Sequence, residues 1–521
     1  MRIRKVALVL ASFVPAAASA QEHGHGDLGT VVFPVTCNAD AQAKMHRAVA
    51  MLHSFWFPEA RKEFEEVGKA DPACGIAYWG VAMSQFGNPM AGGSTGASQA
   101  AGWEAAQKAV QMGAKSERDR AYVDAAVALF KDYATVPNKP RMVAYEQALQ
   151  GIVTKFPADT EGQIFHALYM TANAAPTDLT FAQQQKAAAI LNTLYKEQPN
   201  HPGLPHYIIH SFDSPPLAKN ALTAARQYAG IAPAAPHAIH MPSHTFTRLG
   251  YWDESITSNR RSADLEPTPG AKSHALDYMV YAYLQQGKDA DALKVIEEIG
   301  GNTQGEYFVG ALGSYNALAM PARYSLERDD WKTAAALKVT AAPPSAEAVT
   351  HFARAIGAAR SGDTATAKTE VAALEKMVAD LIAAKDPYWP TAVDAQRLAA
   401  AAWLAHLEGR HADALRLAKE GADKEETIQK HPVTPGPLIP ARELQGDILM
   451  VHNQPSEALG AYEKTLEREP NRARTIASAS RAAKAAGKND VAQKYAKMLV
   501  ALMDPASTRP ELKEAREIAG R

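Results

Sequence analysis

The chain has 521 residues, and its 55 Lys and Arg against 56 Asp and Glu give a formal charge of −1. That balance provides no bulk basic field for nucleic acid or anionic lipid, which argues against both as partners. Beyond Met1–Ala20 no apolar run approaches the ~18 residues a membrane-spanning helix needs.

Met1–Ala20 reads as an export signal. Arg2, Arg4 and Lys5 precede an apolar run from Val6 to Val14, and Ala18-Ser19-Ala20 offers a small-residue cleavage site. The expectation is a periplasmic or secreted protein cleaved after Ala20. Residues 21–38 form an N-terminal tail. Cleavage exposes Gln21-Glu22-His23, a free amine with histidine at the third place, which resembles an amino-terminal copper- and nickel-binding pattern; His25 follows within reach. The alternative is a disordered Gly-rich tail in which Gln21 cyclises and blocks its amine. Cys37 and Cys74 are the only cysteines, and export to an oxidising compartment predicts a disulfide between them. The alternative is a pair of buried thiols.

From Ala39 onward, short helical patterns alternate with Gly- or Pro-marked turns, and β-branched alternation is almost absent, so the chain reads all-α. Ala60, Phe64 and Pro72 mark the first unit. Asn88–Ala101 reads as an inserted loop. Its Gly92–Gly96 stretch matches G-x-S-x-G formally, but a nucleophile elbow needs a strand before it and a helix after it. Val136–Lys139 and Ala341–Pro344 are Pro-containing connectors. Pro199, Pro233 and Pro267 close helical segments at a spacing of 34 residues, and Pro233 ends a unit containing Ala221 and Tyr228. Ala353–Leu374, Ala401–Ala422 and Ala473–Pro505 look like weaker units. His431–Pro440 is a Pro-rich connector, expected to separate residues 39–430 from C-terminal repeats at 441–521. In Ala441–Pro470, Gly446 fits the small residue where two helices close, Ala458 and Tyr462 fit the small and aromatic places of the second helix, and Pro470 fits the terminator.

These residues and the 34-residue phase resemble the tetratricopeptide repeat (TPR) family. The resemblance implies a right-handed α-solenoid of antiparallel helix pairs, about nine to eleven of them, each unable to bury its apolar face alone. It also implies a concave groove that engages a protein or peptide partner.

The histidines share the phase. Seven of the 17 fall in His201–His274. His206, His240 and His274 are spaced by 34, as are His210 and His244, and Tyr278 continues the second series. Stacked repeats bring such positions side by side, so a ladder of three imidazoles is expected beside a ladder of two. His206/His210 and His240/His244 are i, i+4 pairs on one helical face. The resemblance places them, with His237, toward the groove, and places Ile209, Phe246 and Tyr281 toward the core. Pro242 interrupts this register. Either it kinks the helix, or the helix begins there and leaves His237 and His240 on a lead-in turn.

Neutral imidazole suits zinc, copper, nickel and iron. The two pairs can enclose one ion, or two if His237 and His274 join, with Asp213 and Tyr278 orienting the rings. The alternative is a set of groove histidines that contact a peptide. The function expected is therefore a periplasmic binding or assembly module with a transition-metal site. The competing class is a metal-dependent hydrolase or oxidase, for which Asp213 is the only acid–base candidate near the histidines.

Overall fold

In a computed structural model of the chain, residues 28–266, 269–299 and 310–520 are described. The export segment, His23, His25 and Pro267 lie outside the described residues. Helices run from Ala39–His53 to Pro510–Ala519, and the described residues contain no strand.

The helices begin and end where local chemistry dictates. The Asn38 side chain accepts from the Ala41 amide at the start of Ala39–His53, with Asp40 in the positive first turn. Pro58 opens Phe57–Ala70 at a position where no intrahelical donor is needed. Successive helices then pack as pairs, such as Ala39–His53 with Phe57–Ala70 and Ala441–Val451 with Pro455–Arg468. The small residues sit at the closest approaches. A Cβ on Gly446 would fall 2.5 Å from the Tyr462 ring, and one on Gly80 would fall 2.2 Å from the Phe64 ring. The fold is an α-solenoid of TPR-like helix pairs. Pairs such as Ala77–Phe86 with Ala97–Met112 continue the array through the stretch where the consensus is silent. The Gly92–Gly96 stretch lies between helices, without the strand an elbow requires.

The second half of the N-terminal tail belongs to the core. Leu28, Val31 and Phe33 are buried, and Phe33 stacks on Trp79 with ring centroids 5.2 Å apart. Cys37 and Cys74 form a disulfide, with their Cα atoms 5.4 Å apart, that ties this segment to the turn before the helix Ala77–Phe86.

The solenoid winds back onto itself. The Trp252 indole N–H donates to the Asn471 carbonyl (3.2 Å), the Gln285 side chain accepts from the Ala473 amide (3.0 Å), and Arg248 pairs with Glu469 at 3.3 Å. Buried Arg472 bridges Glu443 (2.7 Å) and Glu327 (2.6 Å). Burial pushes the Glu443 carboxyl up, but Arg472 and Arg474 outweigh it and hold the group down at about 2.

Residues 431–440 pack against the middle repeats, and Val433, Thr434, Leu438 and Ile439 are buried. Arg323 donates to the Gly436 and Pro437 carbonyls (both 2.8 Å), and the Tyr278 hydroxyl donates to the Thr434 carbonyl (3.1 Å). Four of the ten connector residues are prolines without a backbone donor, and side chains of the middle repeats donate to the connector's carbonyls.

Candidate metal centre

The histidines sit on four helices. His206 and His210 lie on Gly203–Ser211, His237 and His240 on Pro236–His240, His244 on Pro242–Leu249 and His274 on Pro269–Gln285. Pro242 starts its helix, so the break falls between His240 and His244. That break redistributes the expected ladders. The series His210, His244, Tyr278 survives, with ring centroids 5.9 and 4.9 Å apart. In the other series, His240 and His274 meet at 4.4 Å, but His206 packs at 5.0 Å against His237 rather than His240.

The result is two triads. His206, His210 and His237 form one, and His240, His244 and His274 the other; within each, one ring nitrogen per residue lies within 4.8 Å of the others. The triads adjoin, since the His237 and His240 centroids are 5.8 Å apart. Three imidazoles match the protein ligand set of an open metal site.

Proton positions sharpen the picture. The His206 Nδ1–H donates to the His53 carbonyl (2.6 Å), which leaves Nε2 as a bare lone pair. The His240 Nδ1–H donates to Asn259 Oδ1 (2.6 Å), whose amide is fixed by its own bond to the Ser255 carbonyl. The His244 Nδ1–H donates to Asp213 Oδ2 (2.8 Å), an oxygen that also accepts from Lys430 Nζ (2.7 Å). Asp213 thus accepts from His244, while Tyr278 packs on the His244 ring and bonds the connector. With both Nδ1 protons committed, His240 Nε2 and His244 Nε2 face each other at 3.0 Å as two acceptors. His206 Nε2, both nitrogens of His210, His237 Nε2 and His274 Nδ1 are buried and have no hydrogen-bond partner.

Protonation does not relieve this. Burial, reinforced by the neighbouring imidazoles, holds His206, His210, His237, His244 and His274 well below the ordinary histidine range. Burial also takes His240 down to about 4. Neutral rings with inward lone pairs are the ligand form of histidine.

Two further clusters were not singled out from sequence. Glu161 lies between His53 (2.7 Å) and His201 (2.9 Å), all fully buried. Here every nitrogen is engaged: His53 Nδ1 meets the Tyr207 hydroxyl (2.9 Å), and the Gly203 amide donates to His201 Nδ1 (3.1 Å). This triad supports the centre from behind, because the His53 carbonyl fixes His206. A Cβ on Gly203 would fall 2.6 Å from His53 Nδ1, so this approach requires glycine. His406, His411 and His452 form a half-exposed set in which His406 Nδ1 and His452 Nε2 already bond each other at 3.2 Å. No spacing signal announces either cluster, since the members come from repeats out of phase with one another.

A cavity of ≈ 710 Å³ reaches His210 and Asp213; Phe181, Tyr388, Trp389 and Lys430 also line it.

The fold and these side chains define a TPR-like α-solenoid closed around a paired histidine cluster. No family model matches the chain, and no curated protein matches it in sequence. Among solved structures, a tetratricopeptide repeat protein from Parabacteroides merdae is similar over 55% of this chain and 99% of its own, at 13% identity and a TM-score of 0.30. The human IFIT1 dimer with m7Gppp-AAAA is similar over 82% of this chain and 90% of its own, at 10% identity and a TM-score of 0.40.

Proposed function

We propose that this chain is an exported metalloprotein whose working part is a pair of three-histidine transition-metal sites inside a TPR-like solenoid. The observation that carries the reading is the opposed pair His240 Nε2 and His244 Nε2, 3.0 Å apart with their protons committed elsewhere. Two buried acceptors facing each other are repulsive, and a shared or adjacent cation turns the same arrangement into a ligand set. The unpartnered nitrogens of His206, His210, His237 and His274 support the same conclusion. His206, His210 and His237 would hold one ion, and His240, His244 and His274 the other. Such ions supply Lewis acidity or, for copper and iron, electron transfer.

A groove for a protein or peptide is the weaker reading over these repeats. The chain's own residues 433–440 cover that face, and the cavity at His210 is of small-molecule size. The cavity favours the metal-dependent enzyme over the assembly module. Export is supported by the pattern of Met1–Ala20 and by the Cys37–Cys74 disulfide.

Elemental analysis of the protein purified from the periplasm tests this. The expected result is about two equivalents of a transition metal, one per triad. His210→Ala and His244→Ala should each lose an ion, and His23→Ala should retain both. Equal metal in all four proteins, or none in any, overturns the reading.

A further inference from the structure

The cavity beside His210 has two chemically different parts. Trp389 stacks on His431 (centroids 4.8 Å, planes 29° apart), and Tyr388 meets the same imidazole edge-on at 4.8 Å. Both rings and His431 line the cavity, together with Phe181 and Met90. This is a preformed aromatic surface, the kind that receives a flat ring by stacking or edge contact.

The other part is the metal centre. Of the six histidines only His210, a member of the first triad, lines the cavity. All six ligand candidates are neutral imidazoles, so an ion held by them keeps its full positive charge. The Asp213 charge is balanced locally by Lys430, whose Nζ donates to its Oδ2 (2.7 Å), while its Oδ1 is buried without a hydrogen-bond partner. A cation so held, with a coordination position toward the cavity, attracts an oxygen anion more strongly than one balanced by carboxylate ligands.

Resting on the proposed function, we infer that the cavity receives a small aromatic molecule bearing an oxygen anion, a carboxylate or phenolate, with its ring against Trp389, Tyr388 and Phe181 and its oxygen toward the ion at His206, His210 and His237. The ≈ 710 Å³ volume fits one such molecule with room for water. The two ions then have different roles, since the first meets the ligand and the second, away from the cavity, does not.

The experiment uses the full protein loaded with cobalt(II), whose visible spectrum reports its ligands, and three probes: benzoate, acetate and azide. Benzoate is expected to shift the spectrum and bind about tenfold or more tighter than acetate, the difference being the ring. Trp389→Ala and, separately, Phe181→Ala should each weaken benzoate by several-fold to about tenfold and leave azide unchanged. Benzoate binding no tighter than acetate, with azide still shifting the spectrum, overturns the aromatic ligand and leaves the metal centre standing. Equal benzoate affinity in wild type and both variants does the same. Failure to take up cobalt overturns the metal centre itself and this inference with it.

Discussion

His53, Glu161 and His201 offer as many ligand atoms at as short a range as His240, His244 and His274. In the first set a carboxylate lies between the two rings, and the outer nitrogens meet a tyrosine hydroxyl and a backbone amide. In the second, two rings have spent their protons on Asn259 and Asp213 and turn bare lone pairs toward each other. Proximity of histidines therefore does not distinguish the two sets. The discriminating quantity is whether each nitrogen already has a partner of opposite hydrogen-bonding sense.

The strongest test exchanges one member of each set. His244→Ala is expected to abolish metal at the second triad in equilibrium dialysis, whereas His201→Ala should leave the metal content intact. Metal loss in the His201 variant would erase the distinction. The same His201→Ala protein should be less stable by about 3–5 kcal/mol in urea unfolding, because it strips a buried carboxylate of one of its partners. Little change would mean that the Glu161 cluster is not a stabilising network. Next in size, Asp213→Asn keeps the ligands and alters the group that fixes the His244 tautomer and pairs with Lys430. Metal affinity should fall about 10–100-fold by competition titration. Unchanged affinity would remove Asp213 from the centre. The smallest effect concerns a third buried cluster, which like the Glu161 set is fully paired. Glu443 is held near 2 against an ordinary 4.5, so the unfolded chain binds more protons in that interval and stability falls as pH drops through it. The stability difference between wild type and Glu443→Gln should therefore be full above pH 4.5 and shrink toward pH 2. A constant difference across that range would show that Arg472 and Arg474 do not hold the carboxylate.

Much of this was legible in the sequence, for reasons that can be named. Gly446 against Tyr462 is a contact inside one helix pair, and a pair is a local event that consensus residues encode directly. The gathering of His206, His210, His237, His240, His244 and His274 follows from a 34-residue phase that stacking converts into adjacency. Their division into two triads was not legible. Pro242 announces a break, but which neighbour His206 then meets depends on the path of the short helix Pro236–His240. The covering of the inner face by residues 433–440 left no trace either. Tyr278 and Thr434 are 156 positions apart, and neither carries a mark of the other. Long-range closure depends on how far the superhelix turns per repeat, a quantity summed over many small rotations that no single motif records.

The connector has a consequence in time. Synthesis and export both deliver the N-terminus first, and the helices bearing the six histidines are complete once Gln285 has emerged. Thr434, Gly436 and Pro437, which bond to Tyr278 and Arg323, come at least 149 positions later. For that interval the histidine face is open, and any ion can approach it from the whole breadth of the unfinished inner surface. After the last third of the chain has docked, that face is covered, so on the proposed reading the ions present while the chain is folding have the freer access to it.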